Sequence, residues 1–312
     1  MKKPLLVASL LTVLLVLPAC REDKHGSIYV TPENEAKIMA LYDARLATWP
    51  TAHDALSLPT RYGQTHVLAS GPKDAPPVLL IHAMGITATM WEPNVAALSQ
   101  DFRTYAIDTI GDLGRSKLDA LDHYPGDGRA YGLWLSDVMD QLGIDKAHIV
   151  AASMGGWITM NFAIEHPQRV RSLALLGPLG INSSKDVLFR LMGLLLFPTR
   201  ENKEGLTNWV LGENPVVRTA YAEYMNTALN CRSKLGTPGD LSDDQLRRLS
   251  APVLIFLGGK DNPIGDARAA SERAQRLIPS VEVEVFPESG HLVNTEHPEP
   301  VNTRIREFFL RP

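Results

Sequence analysis

Short apolar runs alternate with helical patterns along most of this chain, and no other feature constrains its fold as strongly. Residues 78–81 form one such run, and others fall at 149–152, 173–176 and 253–257, with further strands read at 103–107 and 281–285. Runs this short and this continuously apolar suit strands buried on both faces of a parallel sheet. Between them stand helical patterns over 131–142, 157–164, 267–277 and 300–309. Strands that alternate with helices predict an α/β fold with a doubly wound, mostly parallel sheet. Upstream, Thr31-Pro32-Glu33-Asn34 supplies an N-cap, a first-turn proline and acidic charge, so residues 28–47 read as a helix. The segment 61–67 predicts a strand pair turning at Gly63.

Between residues 176 and 253 the alternation stops. Residues 181–249 carry helical character without strand signals, and 187–197 are too continuously apolar for one solvated face. Such an insertion is expected to form a helical cap over the C-terminal edge of the sheet, where ligands bind, and to line an apolar pocket. The expected organisation is a core over 27–180, a cap over 181–249 and the rest of the core over 250–312.

The N-terminus is of another kind. Lys2 and Lys3 precede an uncharged apolar stretch over 4–17, followed by Leu17-Pro18-Ala19-Cys20. This is the pattern of a secretory signal, and it is short of the roughly 20 residues that a membrane-spanning helix needs. Leu17-Pro18-Ala19-Cys20 also resembles the bacterial lipobox, which implies removal of residues 1–19 and lipidation of Cys20. Residues 20–26 then read as a polar tether. The expected location is outside the cytoplasm, lipid-anchored to a bacterial membrane on its periplasmic or cell-surface side. Cys231 would be the other cysteine, so no disulfide framework is expected. With 35 acidic against 31 basic residues and no basic block, nucleic acid is not an expected partner.

The chemistry centres on Ala151-Ala152-Ser153-Met154-Gly155-Gly156, which directly follows a strand and precedes a helix. A sharp turn there lifts a serine hydroxyl out of the sheet, and small neighbours let strand and helix close on each other. The hexapeptide nearly matches G-x-S-x-G, with Ala151 where the first glycine is usual; taken alone it also fits an ordinary turn with an N-cap serine. A serine nucleophile needs a base, a group to orient that base, and donors for the oxyanion. Asp261 stands in the loop after the strand at 253–257, and His291 in the loop after the last strand.

From about residue 78 to 309 the chain resembles the α/β-hydrolase family, in particular its capped esterase, lipase and perhydrolase-like branch. The order Ser153, Asp261, His291 is the order of that family. The resemblance implies Ser153 as nucleophile, His291 as general base and then acid, and Asp261 as the orienting carboxylate. Glu288 is the alternative acid, set rather close to His291 in sequence. The loop that begins at Asp108 and runs to Ser116 resembles a structural turn of the family. The oxyanion hole is expected from the backbone N–H groups of Met154 and Met84. The second lies in His82-Ala83-Met84-Gly85, where the family often has His-Gly-x-Gly, and His82 is expected to be structural. Haloalkane dehalogenases and epoxide hydrolases of this fold carry an aspartate at the turn that Ser153 occupies. Carbon–carbon bond hydrolases usually have a glycine- and proline-rich oxyanion loop, unlike residues 82–86.

Scattered histidines, and the lack of a P-loop or of G-x-G-x-x-G after a strand, predict no metal and no cofactor. The expectation is a serine hydrolase that cleaves apolar small-molecule carboxylic esters through an acyl-enzyme. A perhydrolase or acyltransferase with the same triad is the alternative, and a ligand-binding or sensor protein that lost the chemistry is a third reading.

Overall fold

Residues 27–232 and 238–311 are described by the computed structural model. The expected leader, the cleavage point at Cys20 and the tether lie outside the described residues.

Helix α1 (Pro32–Ala47) leads into the strands β1 (His53–Thr60), β2 (Gly63–Ser70) and β3 (Pro77–Ile81). After α2 (Glu92–Leu98) come β4 (Arg103–Ile107) and the short β5 (Lys117–Leu118). Then α3 (Gly128–Gln141), β6 (Ala147–Ala152), α4 (Met154–Glu165) and β7 (Val170–Leu176) continue the alternation. Four helices in succession follow: α5 (Lys185–Leu196), α6 (Arg200–Leu211), α7 (Pro215–Ala228) and α8 (Asp243–Arg247). The chain closes with β8 (Val253–Gly258), α9 (Ala267–Leu277), β9 (Val281–Phe286), α10 (Val293–Glu296) and α11 (Pro298–Phe309).

The strand order is β1-β2-β4-β3-β6-β7-β8-β9, with β5 paired to β2. From β4 to β9 all neighbours are parallel, while β1, β2 and β5 are joined by antiparallel pairings. The sheet is therefore of the doubly wound, mostly parallel type. Its central strands are apolar throughout because both faces are covered: Leu79, Leu80, Ile149, Val150, Leu175 and Ile255 have no exposed surface. From β3 the chain first winds to β4 on one side and later to β6 on the other, which makes the carboxyl ends of β3 and β6 the topological switch point.

The hairpin differs from its sequence-based expectation. Arg61 and Tyr62 make the turn, and Gly63 pairs with Thr60 as the first residue of β2. Gly63 is required by a close approach instead: at φ 131° a Cβ there would stand 2.1 Å from the Lys117 carbonyl oxygen of β5. β1 left no apolar run in the sequence because it is an edge strand with most of its side chains at least partly exposed.

Candidate active site

Ser153 directly follows β6 at the switch point with φ 52° and ψ −116°, the only positive φ outside glycine among the described residues. A side chain held there costs on the order of 1–3 kcal/mol, so the surroundings must enforce it. They do so through backbone bonds: the Ser153 N–H donates to the Leu176 carbonyl at 2.9 Å, and the Ser153 carbonyl accepts from Gly156 at 3.0 Å and Leu179 at 3.2 Å. The glycines serve packing. A Cβ on Gly155 would lie 2.5 Å from the Ile81 carbonyl oxygen, and one on Gly156 would lie 2.7 Å from Pro178. Only hydrogen at both positions lets α4 start against the ends of β3 and β7.

His291 and Asp261 come from the loops after β9 and β8, and both are almost fully buried. His291 Nδ1 stands 2.8 Å from Asp261 Oδ2. The other oxygen, Oδ1, accepts from the Ile264 N–H at 2.9 Å, so the carboxylate is fixed in rotation. Gly177, at φ 49°, leaves room for the pair: a Cβ would be 2.9 Å from Asp261 Oδ2 and 3.2 Å from His291 Nδ1. Glu288 does not join them, since it forms an exposed ion pair with Lys260 at 2.6 Å.

Two amide groups are open at the end of β3 and the start of α4. In the loop after β3 the Ala83 N–H donates to Met90 Sδ at 3.3 Å, and the Ile86 N–H to the Ala83 carbonyl at 3.3 Å. The Gly85 N–H donates to both carboxylate oxygens of Asp112, at 3.2 and 3.0 Å. Met84 is left between them, bordering the cavity beside Ser153. Met154 is the first residue of α4, where helix N–H groups have no intrahelical acceptor and the helix end is electropositive. His82 braces this loop. Its Nε2 accepts from the Thr109 N–H at 2.9 Å, which puts the proton on Nδ1, and Nδ1 donates to the Ala83 carbonyl at 2.8 Å.

The loop after β4 carries two buried carboxylates with opposite behaviour. Burial acts to raise the pKa of Asp108, but hydrogen bonding and charge from His66 and the Ala88 N–H hold it below the usual range. It also accepts from the Arg115 N–H, while a Cβ on Gly114 would sit 2.5 Å from its carboxyl group. Asp108 thus ties the loops together. Burial pushes Asp112 up to about 6, opposed by the N–H groups of Leu113 and Gly85. Asp112 borders the cavity, a placement that the sequence pattern does not mark. The one signal for it was a charge set between Ile110 and Leu113 in a loop that follows an apolar strand.

Ser153, His291 and Met84 share a cavity of about 540 Å³. The same cavity is lined by Leu191 and Met192 of α5, Leu206 and Trp209 of α6, and Met225 of α7. These residues are far from Ser153 in sequence, and helical periodicity alone could not show which of them line its cavity. Cys231 is also in the wall, and burial pushes its thiol up to about 11, so it is a protonated, inert group at neutral pH.

The profile of the "Alpha/beta hydrolase family" matches residues 78–304. The "Uncharacterized carboxylesterase nap" of Bacillus subtilis (strain 168) is 34% identical over 294 residues, covering 91% of this chain and 96% of that protein. "Carboxylesterase YbfK" of the same organism is 32% identical over 290 residues, covering 90% and 96%. The crystal structure of carboxylesterase CesB (YbfK) from Bacillus subtilis superposes with a TM-score of 0.80 over 89% of this chain and 99% of that one, at 31% identity. That of naproxen esterase (carboxylesterase NP) from Bacillus subtilis does so with a TM-score of 0.78, at 34% identity and the same coverage.

Proposed function

The chain belongs to the alpha/beta hydrolase family, and from that premise we propose that it is a serine carboxylesterase working through Ser153, His291 and Asp261. The observation that carries the reading is the strained Ser153, which shares one apolar cavity with a histidine whose Nδ1 is 2.8 Å from a buried carboxylate.

Ser153 Oγ attacks the ester carbonyl carbon while His291 Nε2 takes its proton. Asp261 holds the Nδ1–H tautomer that leaves Nε2 free as a base, and it stabilises the imidazolium that forms. The carbonyl oxygen becomes an oxyanion and receives the N–H groups of Met84 and Met154. Collapse expels the alcohol, which takes the proton from His291, and leaves an acyl group on Ser153. Water then attacks this ester with His291 as base, releasing the acid and restoring the serine. The apolar wall supports small apolar esters as substrates, because burying their hydrocarbon in a water-poor cavity is favourable.

We further infer that residues 181–249 act as a cap inserted into a core of 27–180 and 250–312, and that the protein is exported and held to a membrane by lipid on Cys20. The supports are the helices α5–α7 lining the cavity that Ser153 borders and the sequence Leu17-Pro18-Ala19-Cys20. Among the described residues no helix is long and apolar enough to cross a membrane. Mass spectrometry of the exported protein is expected to find an acylated N-terminal Cys20; an intact residue 19–20 bond overturns the anchor.

The test of the activity is hydrolysis of a p-nitrophenyl ester series. Ser153→Ala is expected to lower kcat by roughly 10⁴-fold or more at unchanged fold. Retained turnover in that variant would exclude the serine mechanism.

A further inference from the structure

Helix α5 is apolar on two sides. Val187, Leu191 and Met192 face the cavity. Phe189, Met192 and Leu196, spaced i, i+3, i+7 and therefore on one stripe, are 65%, 47% and 67% exposed, and Phe197 at the C-cap is 64% exposed. Met192 belongs to both sets, so the exposed patch runs over the helix into the cavity wall. Arg190 is the one charged residue between 187 and 199, and its guanidinium lies over the Trp209 ring. The helix's other charges, Lys185 and Asp186, sit together in its first turn and cancel. A contiguous apolar stripe of this kind marks an interaction surface.

The chain's own N-terminus says what covers it. The Ile28 carbonyl accepts from the Arg232 N–H at 2.6 Å, directly beside Cys231 in the cavity wall. The described chain therefore begins against the segment that ends in Cys231, which lines the same cavity that α5 borders. From Cys20 to Ile28 the backbone spans no more than about 30 Å when fully extended. Lipid on Cys20 keeps this segment within that distance of the bilayer, close enough for an apolar stripe on α5 to reach the boundary between headgroups and acyl chains.

We propose that the outer stripe of α5 docks on the surface of the membrane that holds the Cys20 anchor, setting the cavity mouth at the lipid–water interface. This rests on the anchored, ester-hydrolysing reading above. Its consequence is substrate access: amphipathic esters partitioned into the bilayer pass along Phe189 and Met192 to Ser153 without crossing water.

The experiment uses the processed chain from residue 20 onward with Cys20→Ser, so that binding without lipid is measured. Co-sedimentation with phosphatidylethanolamine–phosphatidylglycerol vesicles is compared with that of the same protein carrying Phe189→Ser and Leu196→Ser. The expected result is at least a tenfold weaker vesicle partition in the double variant, with p-nitrophenyl acetate turnover in vesicle-free buffer within twofold. Equal partition, or an unsubstituted protein that stays in the supernatant, overturns the proposal. So does a concentration-dependent dimer that the double variant abolishes without any vesicle binding, which would make the stripe a self-association face. Should the double variant fail to fold, Phe189→Trp replaces it: brominated lipid is expected to quench its added emission, and unquenched emission overturns docking. Ser153→Ala separates the two readings, because it should lose ester turnover while keeping vesicle partition.

Discussion

At the scale of single residues, Ser153 and Asp112 show function maintained against local stability. Ser153 holds a backbone conformation that glycine adopts freely. Ser153→Gly should therefore give an inactive protein that is more stable by about 1 kcal/mol, strain relief exceeding the entropy lost with glycine. Thermal unfolding checks this, and a lower Tm would mean the turn stores no strain. Asp112 is held against the loop after β3 by the Gly85 and Leu113 N–H groups. Its unfolded carboxyl titrates near 3.8 and its folded one near 6. Stability from this group is thus full below pH 3.8 and is lost as pH rises through 6, by about 3 kcal/mol. Asp112→Asn removes that loss, so its stability relative to the native chain should rise by about that amount between pH 4 and pH 7.5. Chemical denaturation at both pH values reads it, and a pH-independent difference rejects it. The same variant loosens the grip on Gly85, and kcat should fall by roughly tenfold with KM less affected, since a misaimed oxyanion donor weakens only the transition state. Asp108, one turn away, has the opposite sign because His66 and the Ala88 and Arg115 N–H groups surround it.

At the scale of elements, the active-site loops are anchored from behind. Asn94 on α2, Asn294 on α10 and Asn302 on α11 are buried and bonded in series: Asn94 Nδ2 donates to Asn302 Oδ1 at 2.8 Å, and Asn294 Nδ2 to Asn94 Oδ1 at 3.0 Å. Asn302 Nδ2 donates in turn to the Pro93 carbonyl at 2.9 Å. Because α10 begins two residues after His291, this chain of amides fixes the helix that directly follows the His291 loop. Asn302→Ala strands a buried amide partner and should destabilise by about 1–3 kcal/mol, read as a lower denaturation midpoint. An unchanged midpoint would show that α10 is held by apolar packing alone. Strand and helix types in the core were legible because burial on both faces leaves a continuous apolar run. The hairpin was misread because the edge strand β1 contains no such run and Gly63 answers to β5, a partner more than 50 residues away.

At the scale of the whole molecule, one cavity joins the sheet's switch point to the helices between β7 and β8, and its size decides which ester fits. Trp209 closes part of the wall, so Trp209→Ala should shift the p-nitrophenyl chain-length profile toward longer acyl groups, measured as an octanoate-to-butyrate ratio of kcat/KM raised several-fold. An unmoved profile would place the acyl group elsewhere in the cavity. The sequence by itself determined the fold class, through apolar runs of strand length alternating with helices, and it marked Ser153, Asp261 and His291, because turn chemistry and strand-end position are local properties. Tertiary structure alone decided that Asp112 rather than Glu288 enters the site's surroundings, that Met192 and Trp209 line the cavity that Ser153 borders, and that α5 turns a second apolar stripe outward. Those outcomes depend on which surfaces meet across long stretches of chain, and apolar periodicity records only that a side chain is buried, never against what.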